Sequence, residues 1–160
     1  MKILIFLHGT AIMHRSGIDK TRGERVRQSK EREASVLDYA EYVPVGSAVE
    51  KLNKWQLLGA EILYLSSHES QKDIDKDQMV LDKYNFPQGL IYWRQNDTTY
   101  AQVAEEVMPD ILIEDDCESI GGEKEMIYPN IKSELRDKIK SIVVREFEGI
   151  DHLAEDINQL

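Results

Sequence analysis

The stretch Ile3-Leu4-Ile5-Phe6-Leu7-His8-Gly9-Thr10 decides the fold. Successive side chains of a strand point to opposite faces, so an apolar run with no polar alternation predicts a strand buried on both sides. The polar triplet that follows predicts a sharp exit. Gly9 lets the chain turn where a side chain would obstruct it, while His8 and Thr10 bring hydrogen-bonding groups to the strand's end. Outward from this first run, Ile3 to Leu7, similar runs recur at Glu61 to Leu65, Gly89 to Trp93, Asp110 to Ile113 and Ser141 to Val144. Short apolar runs separated by amphipathic segments predict parallel strands joined by helices, an α/β fold.

The connecting helices are marked by their ends. After Val45, Ser47 is followed three residues later by Glu50, the spacing of a capping box; Ala48, Val49, Leu52, Trp55 and Leu58 fall on one side, and Gly59 supplies a stop. A second helix is predicted from Ser70 through Ile74, Leu81 and Tyr84, ended at Asn85-Phe86-Pro87 because the residue before proline avoids helix. Tyr100, Val103, Ala104 and Val107 form a third apolar stripe closed by Pro109. Ile131, Leu135 and Ile139 predict a fourth, and the chain from Ile150 a fifth. The segment from about 14 to 43 breaks this rhythm. It is polar, strongly charged and poor in large aliphatics, which reads as an inserted lid or helical excursion. With no internal repeat and no low-complexity linker, residues 1–160 are expected to form one domain.

Composition sets outer limits. With 160 residues, 41% of them hydrophobic and 31% charged, the chain is long enough to bury a core without disulfides or structural metal. No apolar run approaches the roughly 20 residues of a membrane span. The N-terminal run carries one basic residue and no small-residue cleavage site, so it reads as a buried strand rather than a signal peptide, and a cytoplasmic protein is expected. The single cysteine, Cys117, has no partner for an internal disulfide and is expected to be a packed small side chain beside an acidic turn. A net charge of −10 with basic residues mostly interleaved with acids argues against a nucleic-acid partner. The exception is Lys20, Arg22, Arg25, Arg27, Lys30 and Arg32, opposed only by Glu24 and Glu31, which reads either as a local anion contact or as a solvated helical face.

In open parallel sheets the ligand crevice lies outside the carboxyl ends of the strands. The residues arriving there are His8, Gly9 and Thr10; Ser66, Ser67 and His68; Arg94; and Glu114, Asp115 and Asp116. Hard carboxylate oxygens near a strand end suit Mg²⁺. Because adjacent side chains diverge, Asp115 is the expected direct ligand and Asp116 its support; the alternative is a plain turn leading into Cys117-Glu118-Ser119-Ile120-Gly121-Gly122. Ser66 and Ser67 offer hydroxyls and amides to a phosphate or carboxylate oxygen. His8, His14 and His68 could also gather into a cluster that titrates near neutral pH or takes zinc.

In this order the motifs resemble the haloacid dehalogenase (HAD) superfamily. Its first strand carries Asp-x-Asp-Gly-Thr, its second ends in Ser or Thr, and a basic residue and a strand ending in paired acids follow. Here the corresponding segments are Phe6-Leu7-His8-Gly9-Thr10, Leu65-Ser66-Ser67 and Ile113-Glu114-Asp115-Asp116, and the charged excursion falls where that superfamily inserts its first cap. The resemblance covers most of the chain. It implies a three-layer, Rossmann-like core with a parallel five-stranded sheet and a small helical cap-like insertion. It further implies a phosphorylated small molecule as partner, held by Gly9, Thr10, Ser66, Ser67 and Arg94, with Mg²⁺ on Asp115 and Asp116.

The departures fall on the catalytic positions. Phe6 stands where the superfamily has its nucleophilic aspartate, and His8 where it has the acid/base aspartate. The superfamily's lysine has no clear counterpart; Arg94, Lys76 and Lys83 are the nearest cations. Three readings follow. In a metal-dependent phosphohydrolase, metal-activated water attacks, His8 is general acid or base and Asp115 holds the metal. In a non-catalytic pseudophosphatase, the crevice binds a ligand or presents a surface to a partner. In a generic doubly wound domain, the likeness is coincidental.

Overall fold

A computed structural model describes residues 1–160. Seven strands, β1 (Lys2–Phe6), β2 (Ile12–Met13), β3 (Val43–Pro44), β4 (Glu61–Leu65), β5 (Ile91–Tyr92), β6 (Ile111–Asp115) and β7 (Lys140–Val144), alternate with helices α1 (Arg22–Lys30), α2 (Ala48–Leu57), α3 (Gln71–Lys83), α4 (Tyr100–Val107) and the single turn α5 (Ser133–Arg136). Five strands form one parallel sheet in the order β5-β4-β1-β6-β7. The chain builds outward from β1 through β4 to β5 and then crosses to β6, so the direction of winding reverses between β1 and β6. That reversal opens the crevice at the carboxyl end of β1.

Alternation along the strands creates three layers. Ile3, Ile5, Ile62, Tyr64, Ile111 and Ile113 pack with Leu52 and Trp55 of α2 and Val80 and Leu81 of α3. Leu4, Leu63, Leu65 and Leu112 pack on the other face with Ala101, Val103, Ala104 and Val107 of α4. Both faces are sealed, and the three layers form a Rossmann-like α/β fold. No helix is long and apolar enough to cross a membrane.

Several expected boundaries shift for local reasons. β5 is shorter than Gly89 to Trp93; Gly89 is instead a close-approach point, where a Cβ would overlap the Ile62 carbonyl oxygen. β6 runs on through Asp115, because Glu114 and Asp115 pair with Val143 and Val144 of β7. The capping box expected at Ser47 is absent. The Ser47 amide and hydroxyl each donate to Asp151 Oδ1 at 2.8 Å instead, so a distant carboxylate caps α2. The helix expected over Ile131, Leu135 and Ile139 contracts to Ser133–Arg136; its first residue lacks a side-chain cap, and Ile131 and Ile139 reach the core from flanking turns.

The terminal segment from Ile150 is turns with one 3₁₀ turn at Ile157–Gln159 rather than a fifth helix. Its carbonyls are taken by α2 side chains: Lys51 Nζ donates to the Asp151 and Leu153 oxygens and Trp55 Nε1 to that of Ala154.

The charged excursion is closed at its base by an antiparallel ribbon of β2 and β3, with Met13 opposite Val43. Its one helix, α1, starts with a complete capping box between Thr21 and Glu24. Val26 packs with Met13, Val43, Val45 and Phe147. Arg22 and Arg25 fasten the helix to the segment after β7, donating to the Glu146 and Phe147 carbonyls at 3.0 and 2.7 Å.

Candidate functional site

The carboxyl ends of β1, β4 and β6 open into a cavity of about 420 Å³, roofed by Tyr39, Tyr42, Val36 and Leu37 of the excursion. His8 and Asp115 both line it, and Phe6 forms part of its wall. The phenyl ring of Phe6 packs edge-on against Tyr100 of α4 with centroids 5.4 Å apart. It therefore leaves the cavity open.

One polar group is built around His8. Gly9, at φ +90°, turns the chain so that its amide meets the Ile12 carbonyl at 2.9 Å. His8 Nδ1 lies 2.8 Å from Ser67 Oγ and accepts from the Ser67 amide at 3.3 Å. Because that amide can only donate, Nδ1 is the acceptor and Nε2 carries the proton. Nε2 points at Asp77 Oδ1, 3.0 Å away. The other Asp77 oxygen accepts from Ser66 Oγ at 2.6 Å, and Ser66 Oγ accepts from the His68 amide at 3.0 Å. Burial pushes the Asp77 carboxyl up, yet His8 and Ser66 outweigh it and hold the group below the usual carboxylate range. His68 packs against His8 at 4.5 Å and Tyr39 at 4.1 Å. Burial, followed by the neighbouring His8, pushes its pKa down to about 4.

The second group is acidic. Asp115 is 2% exposed; it accepts from Thr10 Oγ1 at 3.0 Å and from the Cys117 amide at 2.9 Å. Glu146, after β7, accepts from the Ser119 amide and hydroxyl at 2.7 and 2.6 Å. Oxygens of Asp115, Asp116 and Glu146 lie within 4.8 Å of one another. Burial foremost, with neighbouring carboxylates adding to it, pushes Asp115 up to about 6 and Glu146 up to about 7. Converging hard oxygens whose charges resist one another are the donor set of a hard divalent cation, and that chemistry fits. Arg22 balances part of the charge, with Nη2 3.1 Å from Asp116 and Nη1 2.6 Å from Glu118.

The structure separates some residues that the sequence grouped. Gly9, Ser67 and His68 line the cavity with His8 and Asp115. Thr10 and Ser66 are fully buried and act through Asp115 and Asp77. Asp116 turns toward Arg22 and the Glu146 amide, as expected of the diverging neighbour. Glu114 is a buried strand residue whose carboxylate accepts the Ile127 and Tyr128 amides at 2.6 and 2.8 Å.

Arg94 lies outside the cavity lining. It pairs with Glu69 and stacks 4.2 Å over Tyr100. Lys76 pairs with Asp73 and Lys83 with Glu41, so neither reaches the lining; the cations that do are Lys30 and Arg32 of the excursion. Of the three histidines expected to cluster, His14 lines the same cavity but bonds Gln28 at 3.2 Å instead of joining His8 and His68. Burial lowers its pKa. Its place beside His8 and His68 is taken by Asp77. Cys117 is buried, as expected.

Asp77 and Glu146 are the functional residues that strand-end reasoning missed. Asp77 had a signal: it occupies the buried stripe of α3 between Ile74 and Val80, where a carboxylate must have a partner. Glu146 needed only the same strand-end rule applied to the last strand.

No family model matches the chain, and no curated protein matches its sequence. Solved structures do match in shape. A class C acid phosphatase from Bacillus anthracis superposes with a TM-score of 0.58 at 14% identity, over 92% of this chain and 67% of that one. The same phosphatase with tungstate bound gives 0.57 at 14%, over 92% and 68%. A Pnkp1/Rnl/Hen1 RNA repair complex gives 0.57 at 15% identity, over 91% of this chain and 42% of that chain. At this identity the likeness is one of fold.

Proposed function

We propose that this protein is a divergent HAD-like phosphohydrolase acting on a phosphorylated small molecule in the cytoplasm. The observation that carries the reading is that His8 and Asp115 line one cavity at the point where the sheet reverses its winding. Asp115, supported by Asp116 and Glu146, would hold Mg²⁺, which supplies charge neutralisation at the phosphoryl oxygens. Lys30 and Arg32, reaching the cavity from its rim, attract the anionic group and take the place of the superfamily's lysine. Ser67 lines the same space, with its hydroxyl 2.8 Å from His8 Nδ1. His8, with Nε2 anchored on Asp77, is placed to take a proton at Nδ1 and return it to the leaving oxygen.

Phe6 favours a second reading. A phenyl ring cannot form an acyl-phosphate, and a pseudophosphatase that only binds its ligand would tolerate it.

Hydrolysis of p-nitrophenyl phosphate and a panel of phosphorylated metabolites, with Mg²⁺, Mn²⁺ and Zn²⁺ in turn, separates the two. Metal-dependent turnover that falls by about 100-fold or more in His8→Ala, and falls also in Asp115→Asn, is the expected result. Well-folded protein without turnover on any substrate would leave the binding role.

A further inference from the structure

With Phe6 in the nucleophile's position, the phosphohydrolase reading lacks an attacking group from the protein, and the geometry points to one elsewhere. We infer that Ser67 is a nucleophile, activated by His8 as general base, with Asp77 as the positioning residue. The inference rests on the proposed phosphohydrolase activity for its substrate class, but its geometry stands independently.

Three observations carry it. First, Ser67 Oγ, His8 and Asp77 form a continuous chain of 2.8 and 3.0 Å contacts, the hydroxyl–imidazole–carboxylate order that activates serine. The ring is used in the reverse sense from the familiar triad: Nδ1 faces the hydroxyl and Nε2 the carboxylate. Second, the tautomer is fixed from both ends. The Ser67 amide donates to Nδ1 and Asp77 accepts from Nε2, so the lone pair faces the hydroxyl. Third, of the two adjacent serines only Ser67 lines the cavity. Ser66 is fully buried and spent on Asp77.

The same tautomer weighs against the other use of these residues. His8, His68 and Asp77 bring donor atoms within 4.8 Å of one another, and the His68 Nε2 has no hydrogen-bond partner. A zinc ion there would need the His8 Nε2 lone pair. The proton would then move to Nδ1, facing an amide N–H that can only donate.

In the reaction, Ser67 Oγ bonds to phosphorus as its proton passes to His8 Nδ1. The bond from phosphorus to the leaving oxygen breaks, and that oxygen takes the proton from His8. Water then attacks the phosphoserine, giving its proton to His8, and the Ser67 oxygen leaves and is reprotonated. Asp77 holds the ring and stabilises the imidazolium throughout.

Diisopropyl fluorophosphate tests this without a known substrate, since attack by a serine oxygen on its phosphorus expels fluoride and leaves a stable adduct. The expected result is one adduct per chain, mapped by mass spectrometry to Ser67 and formed equally in EDTA. Ser67→Ala should not label at all. His8→Gly should label about 100-fold more slowly or worse, with partial rescue by added imidazole. Asp77→Asn keeps an acceptor for Nε2 but removes the charge that stabilises the imidazolium, so its labelling should slow and its pH profile shift while Asp77→Glu restores part of the rate.

Folded wild type that does not label at Ser67, labelling indifferent to His8→Gly, or full p-nitrophenyl phosphate turnover in Ser67→Ala would each overturn the inference. Labelled Ser67 without hydrolysis of any phosphate ester would sink the phosphohydrolase reading and support Ser67 as the nucleophile of another ester hydrolase.

Discussion

Gly9 shows how tightly the site is drawn at the level of one residue. Its φ is +90°, and a Cβ there would stand 2.8 Å from Asp115 Oδ2 and 3.2 Å from Glu146 Cγ. Gly9→Ala thus meets backbone strain of about 1–3 kcal/mol and displaces two carboxylates of the acidic group. A lower urea midpoint and a roughly 10-fold weaker Mg²⁺ affinity, read by titration calorimetry, are expected; unchanged values for both would mean that the loop relaxes without cost. His8, Gly9, Ser67 and Asp115 were legible because a buried strand has only one way to end at the crevice. Arg94 was not, because polarity after a strand does not say where a long side chain turns. Tyr100 offers Arg94 a ring face and Glu69 a countercharge. Asp77 lay 69 residues from His8, a pairing that only the packing of α3 against the sheet reveals.

At the level of elements, the excursion is held less by its own core than by cations on α1. The Arg22 side chain is 13% exposed and ties α1 to Asp116, to Glu118 and to the Glu146 carbonyl. Arg22→Ala removes these charge-assisted bonds and leaves Asp116 facing Asp115 and Glu146 without a counterion. A loss of about 1–3 kcal/mol is expected, concentrated in the excursion. In hydrogen exchange, amides of α1 should lose protection while those of β1, β4 and β6 keep theirs; equal loss everywhere would show that the excursion and the sheet unfold as one unit. The sequence marked α1 as basic and left open whether those charges were solvated. Arg22 and Arg25 in fact reach the segment after β7, a contact invisible to periodicity because it joins residues more than 120 positions apart. The Ser47 helix start was legible, but its cap comes from Asp151 rather than Glu50. Local spacing cannot compete with a distant carboxylate already placed at the amide.

For the whole molecule, strand count, parallel pairing and layer order followed from apolar runs, since a strand sealed on both faces has few architectures open to it. The electrostatic state of the folded protein did not, because it depends on which acids the fold brings together. Glu146 is raised from 4.5 to about 7. The folded state therefore keeps a proton that the unfolded chain has released, and stability from this group is present below pH 4.5 and lost as pH rises through 7. His68 works in the opposite sense, since its pKa falls from 6.5 to about 4. It favours the folded state at high pH and loses that contribution between pH 6.5 and 4. Between pH 6 and 8 the two groups therefore oppose each other: His68 still gains as the unfolded imidazole loses its proton, while the acidic group loses more. Metal-free protein should lose about 1 kcal/mol of stability between pH 6 and 8, the loss at Glu146 exceeding the gain at His68, measured by urea denaturation, and Glu146→Gln should abolish that loss. Mg²⁺, by competing with those protons, should raise the melting temperature more at pH 8 than at pH 6. A wild type and a Glu146→Gln variant that run parallel across this range, with no Mg²⁺ effect at either pH, would show that Asp115, Asp116 and Glu146 are satisfied by Arg22 and Ser119 alone and that no cation belongs among them.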